Sequence, residues 1–287
     1  MLTITKLQNW ANAVPANIKA IVAAHLSKMD FSYMVLDEDT HTYTSTKNPE
    51  VQWTSVTTLI KHYRPEQDWD RIASTWGKSH GVQTHVVREM WEYNADCAAA
   101  TGSICHLFGE FICNIMINLM LCKSIDEDIA AFKLVFPFQL KNNDMFLPTM
   151  IGQTHVIEFW ERVISDQKRW PLAAECIVDD PERGVCGTVD LLMIESDLSI
   201  SMWDYKTSKK LDNPYARTKK VYLLNEYAGM FDEPISEYTI QLAQYKHMLA
   251  KHGINVKDTN IIHIPNTELS ELKIVPVDTN NIGVYIL

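Results

Sequence analysis

Residues 184–210 read GVCGTVDLLMIESDLSISMWDYKTSKK, and the fold turns on how this stretch pairs with itself. It holds two apolar runs, 185–194 and 198–205, parted by the turn-rich Glu195-Ser196-Asp197. Two such runs around a short polar break predict an antiparallel hairpin. The first run carries Asp190 directly after Gly187-Thr188-Val189, and the second ends in Asp204-Tyr205-Lys206. Side chains alternate along a strand, so Asp204 and Lys206 share a face from which Tyr205 points away. Pairing the strands brings Asp190 beside Asp204 and Lys206. Two carboxylates and an amine on one face can hold a divalent cation and a water placed for attack.

Just upstream, the apolar run 172–178 begins the sheet and carries Glu175 in its interior. A carboxylate buried in a strand is costly unless it meets a metal, an amine or several donors. One such acid is an ordinary strand-end residue. Three acids on successive strands, with a lysine two places beyond the last, form a pattern. Downstream, residues 207–235 are polar and irregular apart from a short apolar segment at 221–224. They begin with a basic cluster of Lys206, Lys209, Lys210, Arg217, Lys219 and Lys220, which reads either as a solvated loop or as a local phosphate-binding patch. A helix is predicted over 235–252 with Ile240, Ala243, Met248 and Leu249 inward. Gln241 and Tyr245 share one of its faces by their i, i+4 spacing. Runs at 259–264 and 272–277 close the chain as strands.

Toward the N-terminus, residues 1–30 read as helical, with Pro15-Ala16-Asn17 opening a second segment. Short runs at 31–36 and 41–46 predict a hairpin around Asp37-Glu38-Asp39. A short helix follows within 53–60, with Thr54 or Ser55 as its cap and Pro65 ending it. The helical pattern of 68–100 breaks at Gly81, with Trp69, Ile72, Trp76, Val86, Met90 and Trp91 as candidate buried residues. A new apolar helix is expected to open at 101, capped by Thr101 or Ser103, and to run to about 121. That placement puts His106 and Glu110 on one face of its first turns. Further helices are predicted over 126–136 and over 152–168, the latter with Val156, Phe159, Trp160 and Val163 inward. The order implies an α/β core behind an N-terminal hairpin and helical region, with 1–100 packed on 101–287 as one unit.

At 287 residues, 46% hydrophobic and 22% charged, the chain has the composition of a soluble globular protein with a sizeable core. Its net charge of −10 argues mildly against a nucleic-acid partner without excluding one, since a basic patch can sit on an acidic whole. None of the six cysteines lies in a CxxC pair, so neither zinc nor an iron–sulfur cluster is signalled; Cys105, Cys113 and Cys122 read as core. No signal peptide is legible, and residues 107–122 read as too short and polar to span a bilayer. A reducing cytoplasm and no membrane partner are the expectation.

The constellation resembles the PD-(D/E)XK nuclease superfamily and, within it, the RecB-like exonuclease branch. Asp190 closes a Gly-Thr-Val-Asp segment, Asp204-Tyr205-Lys206 matches the D-x-K element, and Gln241 to Tyr245 is similar to the branch's QxxxY motif. Thr101-Gly102-Ser103 followed by His106 is similar to its G-x-x-x-H segment. Ser55 to Thr58 is like the S-V-T-T segment of mitochondrial-genome-maintenance exonucleases and their phage relatives. The likeness spans about residues 31 to 250, with the motifs in order. It implies a mixed central sheet flanked by helices and a magnesium- or manganese-dependent deoxyribonuclease acting in replication, recombination or repair, in host cytoplasm if phage-encoded.

The resemblance implies that Asp190, Asp204, His106 and the carbonyl of Tyr205 ligate the metal, with Asp190, Asp204, Lys206 and Glu175 forming the catalytic set. Lys206 then orients the attacking water or stabilises developing charge. Without the resemblance, His106 reads as a buried helix histidine. Glu175 either completes the metal shell or pairs with a lysine. Glu110 either supports His106 or is solvated. Gln241 and Tyr245 support the site or touch DNA, Tyr245 being equally readable as core; Lys209 and Lys210 are candidate DNA contacts. The cysteine trio that holds a cluster in some relatives is missing, since the last cysteine is Cys186, and no GxxxxGK[ST] loop is present. Strand separation therefore falls to a helicase, single-strand-binding or recombination partner, or the substrate is single-stranded. An exonuclease on single strands or DNA ends is the leading reading. A structure-specific endonuclease and a catalytically silent DNA-binding module are the alternatives.

Overall fold

The computed structural model describes residues 1–37, 40, 42–265 and 271–285. Two helices open the chain, α1 (Ile4–Ala13) and α2 (Ala16–Leu26), parted at Pro15; Thr3 caps the first by accepting the Lys6 N–H at 3.0 Å. Strands β1 (Met34–Asp37) and β2 (Thr42–Ser45) pair antiparallel. Glu38, Asp39 and His41 of that expected hairpin lie outside the described residues. Next come β3 (Thr54–Ser55) and α3 (Val56–Lys61), where Ser55 Oγ accepts the Thr58 N–H at 3.1 Å and is the cap.

Helix α4 (Trp69–His80) ends at Gly81, as expected, but the next helix corrects the sequence reading. α5 runs unbroken from Thr84 to Met120, 37 residues, so Thr101 and Ser103 are interior residues and not caps. The preceding Ala98-Ala99-Ala100 run has the highest helix propensity available and carries the helix through. α4 and the first half of α5 lie against each other through Ala73, Gly77 and Val87. The six large residues expected inside are half-buried or exposed, Trp69 and Met90 being 49% and 45% exposed. Small residues make this helix–helix contact, so large ones are left on its outer surface. Among the described residues α5 is also the one helix long and apolar enough to cross a membrane, and 56% of its most apolar window is buried. Its second half packs against α1, β6 and two helices defined next.

Those helices are α6 (Asp126–Val135) and, after the short pair β4 (Leu140–Lys141) and β5 (Met145–Phe146), α7 (Ile151–Asp166). Val156, Phe159, Trp160 and Val163 are all buried on α7, as its periodicity predicts. The sheet strands follow: β6 (Arg169–Asp180), β7 (Val185–Glu195) and β8 (Ile200–Lys206). A six-residue α8 (Pro214–Lys219) interrupts the polar segment, and α9 (Pro234–Lys251), β9 (Val256–His263) and β10 (Lys273–Val277) complete the fold. Cys105 and Cys113 are buried, but Cys122 is exposed just past the end of α5 at φ 57°, which corrects its assignment to the core.

The result is a mixed α/β protein: a six-stranded mixed sheet with helices on both faces and a helical N-terminal region. β6, β7 and β8 run antiparallel in sequence order, β8 and β9 are parallel, and β10 returns antiparallel at the edge. The predicted hairpin forms with Leu191 opposite Trp203 and Ile194 opposite Ile200. One buried cluster runs from Leu2 to Val277, and α5 itself crosses residue 100.

One edge of β7 decides where the site lies. β6 takes the other edge along its whole length. On this edge β8 pairs only with 191–194, and β3 pairs in parallel with Val185 and Cys186. Residues 187–190 are left between them with no ladder partner on that edge among the described residues. α9 covers one face of this gap. A Cβ at Gly187 would lie 2.5 Å from Tyr245 Cε1, so the ring sits directly on the backbone. Gly187→Ala is therefore expected to lower stability by about 1–3 kcal/mol through overpacking. An unchanged urea midpoint for this variant would show that the ring is not seated there.

Candidate metal centre

Strand divergence leaves the Tyr205 N–H without the ladder acceptor it would otherwise have. Asp190 Oδ2 takes it at 2.7 Å, the side chain standing in for a strand carbonyl. The Tyr205 carbonyl in turn accepts from His106 Nε2 at 3.0 Å. α5 comes this near because Gly109 faces the Tyr205 ring, where a Cβ would already stand 3.0 Å from it. His106 Nδ1 lies 3.3 Å from Asp190 Oδ2 and 3.8 Å from Glu175 Oε1. His106, Glu175 and Asp190 thus each offer a ligand atom within 4.8 Å of the others.

Glu175 reaches this point by an unusual backbone. It sits in β6 between the pairs Ala174–Leu191 and Cys176–Val189, opposite Asp190, yet has φ 47°. Left-handed backbone costs a non-glycine residue about 1–2 kcal/mol. Such a cost inside a strand, next to two other ionisable groups, is the kind of strain that collects at functional sites.

Asp204 and Lys206 point, by strand alternation, to the face covered by α9. Lys206 Nζ lies 2.6 Å from Asp204 Oδ2. Asp204 is 1% exposed, and its Oδ1 has no hydrogen-bond partner among the described residues. The Asp204 carboxylate is not one of the three groups that lie within 4.8 Å of one another, but it is near enough to Asp190 for the two charges to act on each other, and it is tied to the lysine. Tyr205 bridges the two, its main chain bonded to Asp190 and His106.

The electrostatics follow from burial. Asp204 is pushed up to about 7 by desolvation and by the Asp190 charge, against the pull of Lys206. Burial raises Asp190 as well, with His106 opposing. Lys206 is raised: desolvation would lower it, but Asp204 and Asp190 outweigh that. For His106, burial works downward and the Asp190 and Glu175 carboxylates prevail, holding it at about 9. Geometry agrees, because both ring nitrogens face acceptors and only the doubly protonated ring can donate to both.

Behind the site, Gln241 Nε2 donates to Tyr245 OH at 3.0 Å; both side chains are buried, and they brace β7 at Gly187. A cleft of about 700 Å³ opens on one side of His106, lined by Thr101, Lys206, Thr207, Lys209 and Tyr238. A second, about 500 Å³, opens on the other side between Ser103, Glu110 and Glu175. Lys209 lines the first cleft; Lys210, Arg217, Lys219 and Lys220 are exposed beyond it, Arg217 being anchored to buried Glu233 at 2.7 Å. Tyr238 escaped the sequence reading, although 238, 241 and 245 form one stripe at helical spacing. The φ of Glu175 left no sequence signal.

The donor set of one imidazole, two carboxylates and a carbonyl, with an unpartnered carboxylate oxygen close by, fits a hard to borderline divalent cation such as magnesium or manganese. No protein-family model and no curated protein sequence matches the chain, so a functional reading rests on these residues and their geometry. His106 and Asp204 must both be unprotonated to bind a cation, and both are held above their ordinary values. Manganese affinity is therefore expected to rise with pH from about 7 to about 9, with proton release. Calorimetry in buffers of differing ionisation enthalpy reads both, and a flat profile over this span would remove the two groups from the ligand set.

Proposed function

We propose that this chain is a divalent-metal-dependent deoxyribonuclease with a PD-(D/E)XK core, acting as an exonuclease on single strands or DNA ends in replication, recombination or repair. The observation that carries the reading is the convergence of Asp190, Glu175, His106 and the Tyr205 carbonyl at the point where β7 and β8 part, with Lys206 two residues on. These are the positions at which the sequence resembles the RecB-like branch. Glu175 joins them through its backbone.

In this reading His106, Glu175, Asp190 and the Tyr205 carbonyl hold the cation, and Asp204 adds the oxygen that has no hydrogen-bond partner among the described residues. A bound magnesium or manganese ion neutralises charge on the phosphoryl oxygens and lowers the pKa of water. Lys206 supplies a positive charge at the cleft wall, where it orients the attacking water or stabilises the negative charge that develops at phosphorus. Lys209 and Lys210 meet the backbone phosphates entering the cleft, a local basic edge on an acidic protein. Gln241 and Tyr245 act through the backbone of β7 and do not reach the substrate.

Lys206→Ala is expected to lower cleavage by about 100-fold or more while DNA binding changes little, since its charge acts on the transition state. Single-turnover cleavage and fluorescence anisotropy separate the two effects, and near wild-type cleavage would overturn the role. Asp190→Asn is expected to abolish manganese-dependent cleavage yet fold, because the amide oxygen still accepts the Tyr205 N–H. A covalently closed single-stranded circle is expected to resist the enzyme while end-labelled linear DNA is degraded. Cutting of the circle would instead indicate an endonuclease.

A further inference from the structure

Asp204 presents a conflict that its surroundings resolve. In the reading above its carboxylate is needed by the cation, yet Lys206 Nζ lies 2.6 Å from it. A cation and an ammonium compete for the same two oxygens. Asp204 is buried at 1% exposure and cannot turn to solvent, so the lysine has to move. The Lys206 side chain is itself only 14% exposed, and a buried ammonium with no partner is costly. Asp190 offers no ready alternative, because in that reading it ligates the cation too, and its Oδ2 already serves the Tyr205 N–H and faces His106.

What remains is an aromatic face. The Tyr238 ring centroid lies 4.7 Å from Lys206 Nζ, within the range at which a ring attracts a cation. Tyr238 stands one turn before Gln241 on the face of α9 that meets the site, and both Tyr238 and Lys206 line the cleft of about 700 Å³. The ammonium can therefore pass from carboxylate to ring without leaving the cleft wall. We propose that Tyr238 is a positioning residue: its ring is the second seat of the Lys206 ammonium, receiving it when a divalent cation takes the Asp204 carboxylate. Metal binding and placement of the lysine then become one coupled movement. This inference rests on the metal-centre reading, which it extends to a residue outside the motif positions.

The test is a double-mutant cycle in manganese affinity, which needs no cleavage. Manganese chloride is titrated calorimetrically into the full chain and into Tyr238→Phe, Tyr238→Leu, Lys206→Met and the Tyr238→Leu/Lys206→Met double variant. Tyr238→Phe keeps the ring face and is expected to bind within about twofold of wild type. Tyr238→Leu removes it and is expected to weaken binding by about three- to tenfold, the scale of one cation–π contact. In the Lys206→Met background, which lacks the competing ammonium, Tyr238→Leu is expected to change nothing. Equal effects of Tyr238→Leu with and without Lys206, or no effect in either, would overturn the proposal while leaving the metal centre standing. Failure of the wild-type chain to bind manganese would remove the metal centre and this inference with it.

Discussion

The structure depends on one departure from regular pairing. β7 and β8 begin as an ordinary antiparallel ladder at Ile194 and Ile200, then part after Leu191 and Trp203. An amide freed inside a protein costs about 1–3 kcal/mol if nothing accepts it. Asp190 accepts the Tyr205 N–H and so makes the separation tolerable. The same carboxylate holds one strand tip to the other and, with Glu175, draws the His106 ring from α5. Opening the strands further would lose the bond to Tyr205.

The second constraint is charge. Two aspartates, a glutamate, a histidine and a lysine share a small, largely buried volume, and a carboxylate in such a place is stable only with positive charge nearby. The protein supplies it from its own side chains: Lys206 neutralises Asp204, and the His106 imidazolium stands between Asp190 and Glu175. Each basic group occupies the position that, in charge, a divalent cation could fill. This explains how the donors remain assembled, and why Asp204 and His106 are both displaced from their ordinary proton affinities.

Much of this was legible in the sequence. Alternation and a polar break located the β7–β8 hairpin, and the spacing of Gln241 and Tyr245 placed both on the face of α9 that meets β7. Local pattern failed where tertiary contact overrode it. Thr101-Gly102-Ser103 resembles a helix start, but the alanines before it and the packing beyond it keep α5 continuous. The two-residue β3 is too short to show periodicity, yet it sets one end of the gap in β7. Glu175 looked like an acid in an apolar run; its left-handed backbone, which turns it toward His106, depends on neighbours that one-dimensional pattern does not encode.

The continuity of α5 has a mechanical consequence. His106 lies 22 residues along this helix from Thr84, about 33 Å at 1.5 Å per residue. Between the two-helix arm and the ring beside Asp190 the helix has no loop and no proline, and Gly102 is its single glycine. The arm and His106 therefore belong to a single stiff beam, clamped along its second half by α1, α6, α7 and the sheet. A load on the free end acts as torque about that clamp, so the register of His106 against the Tyr205 carbonyl carries leverage from a surface tens of ångströms away.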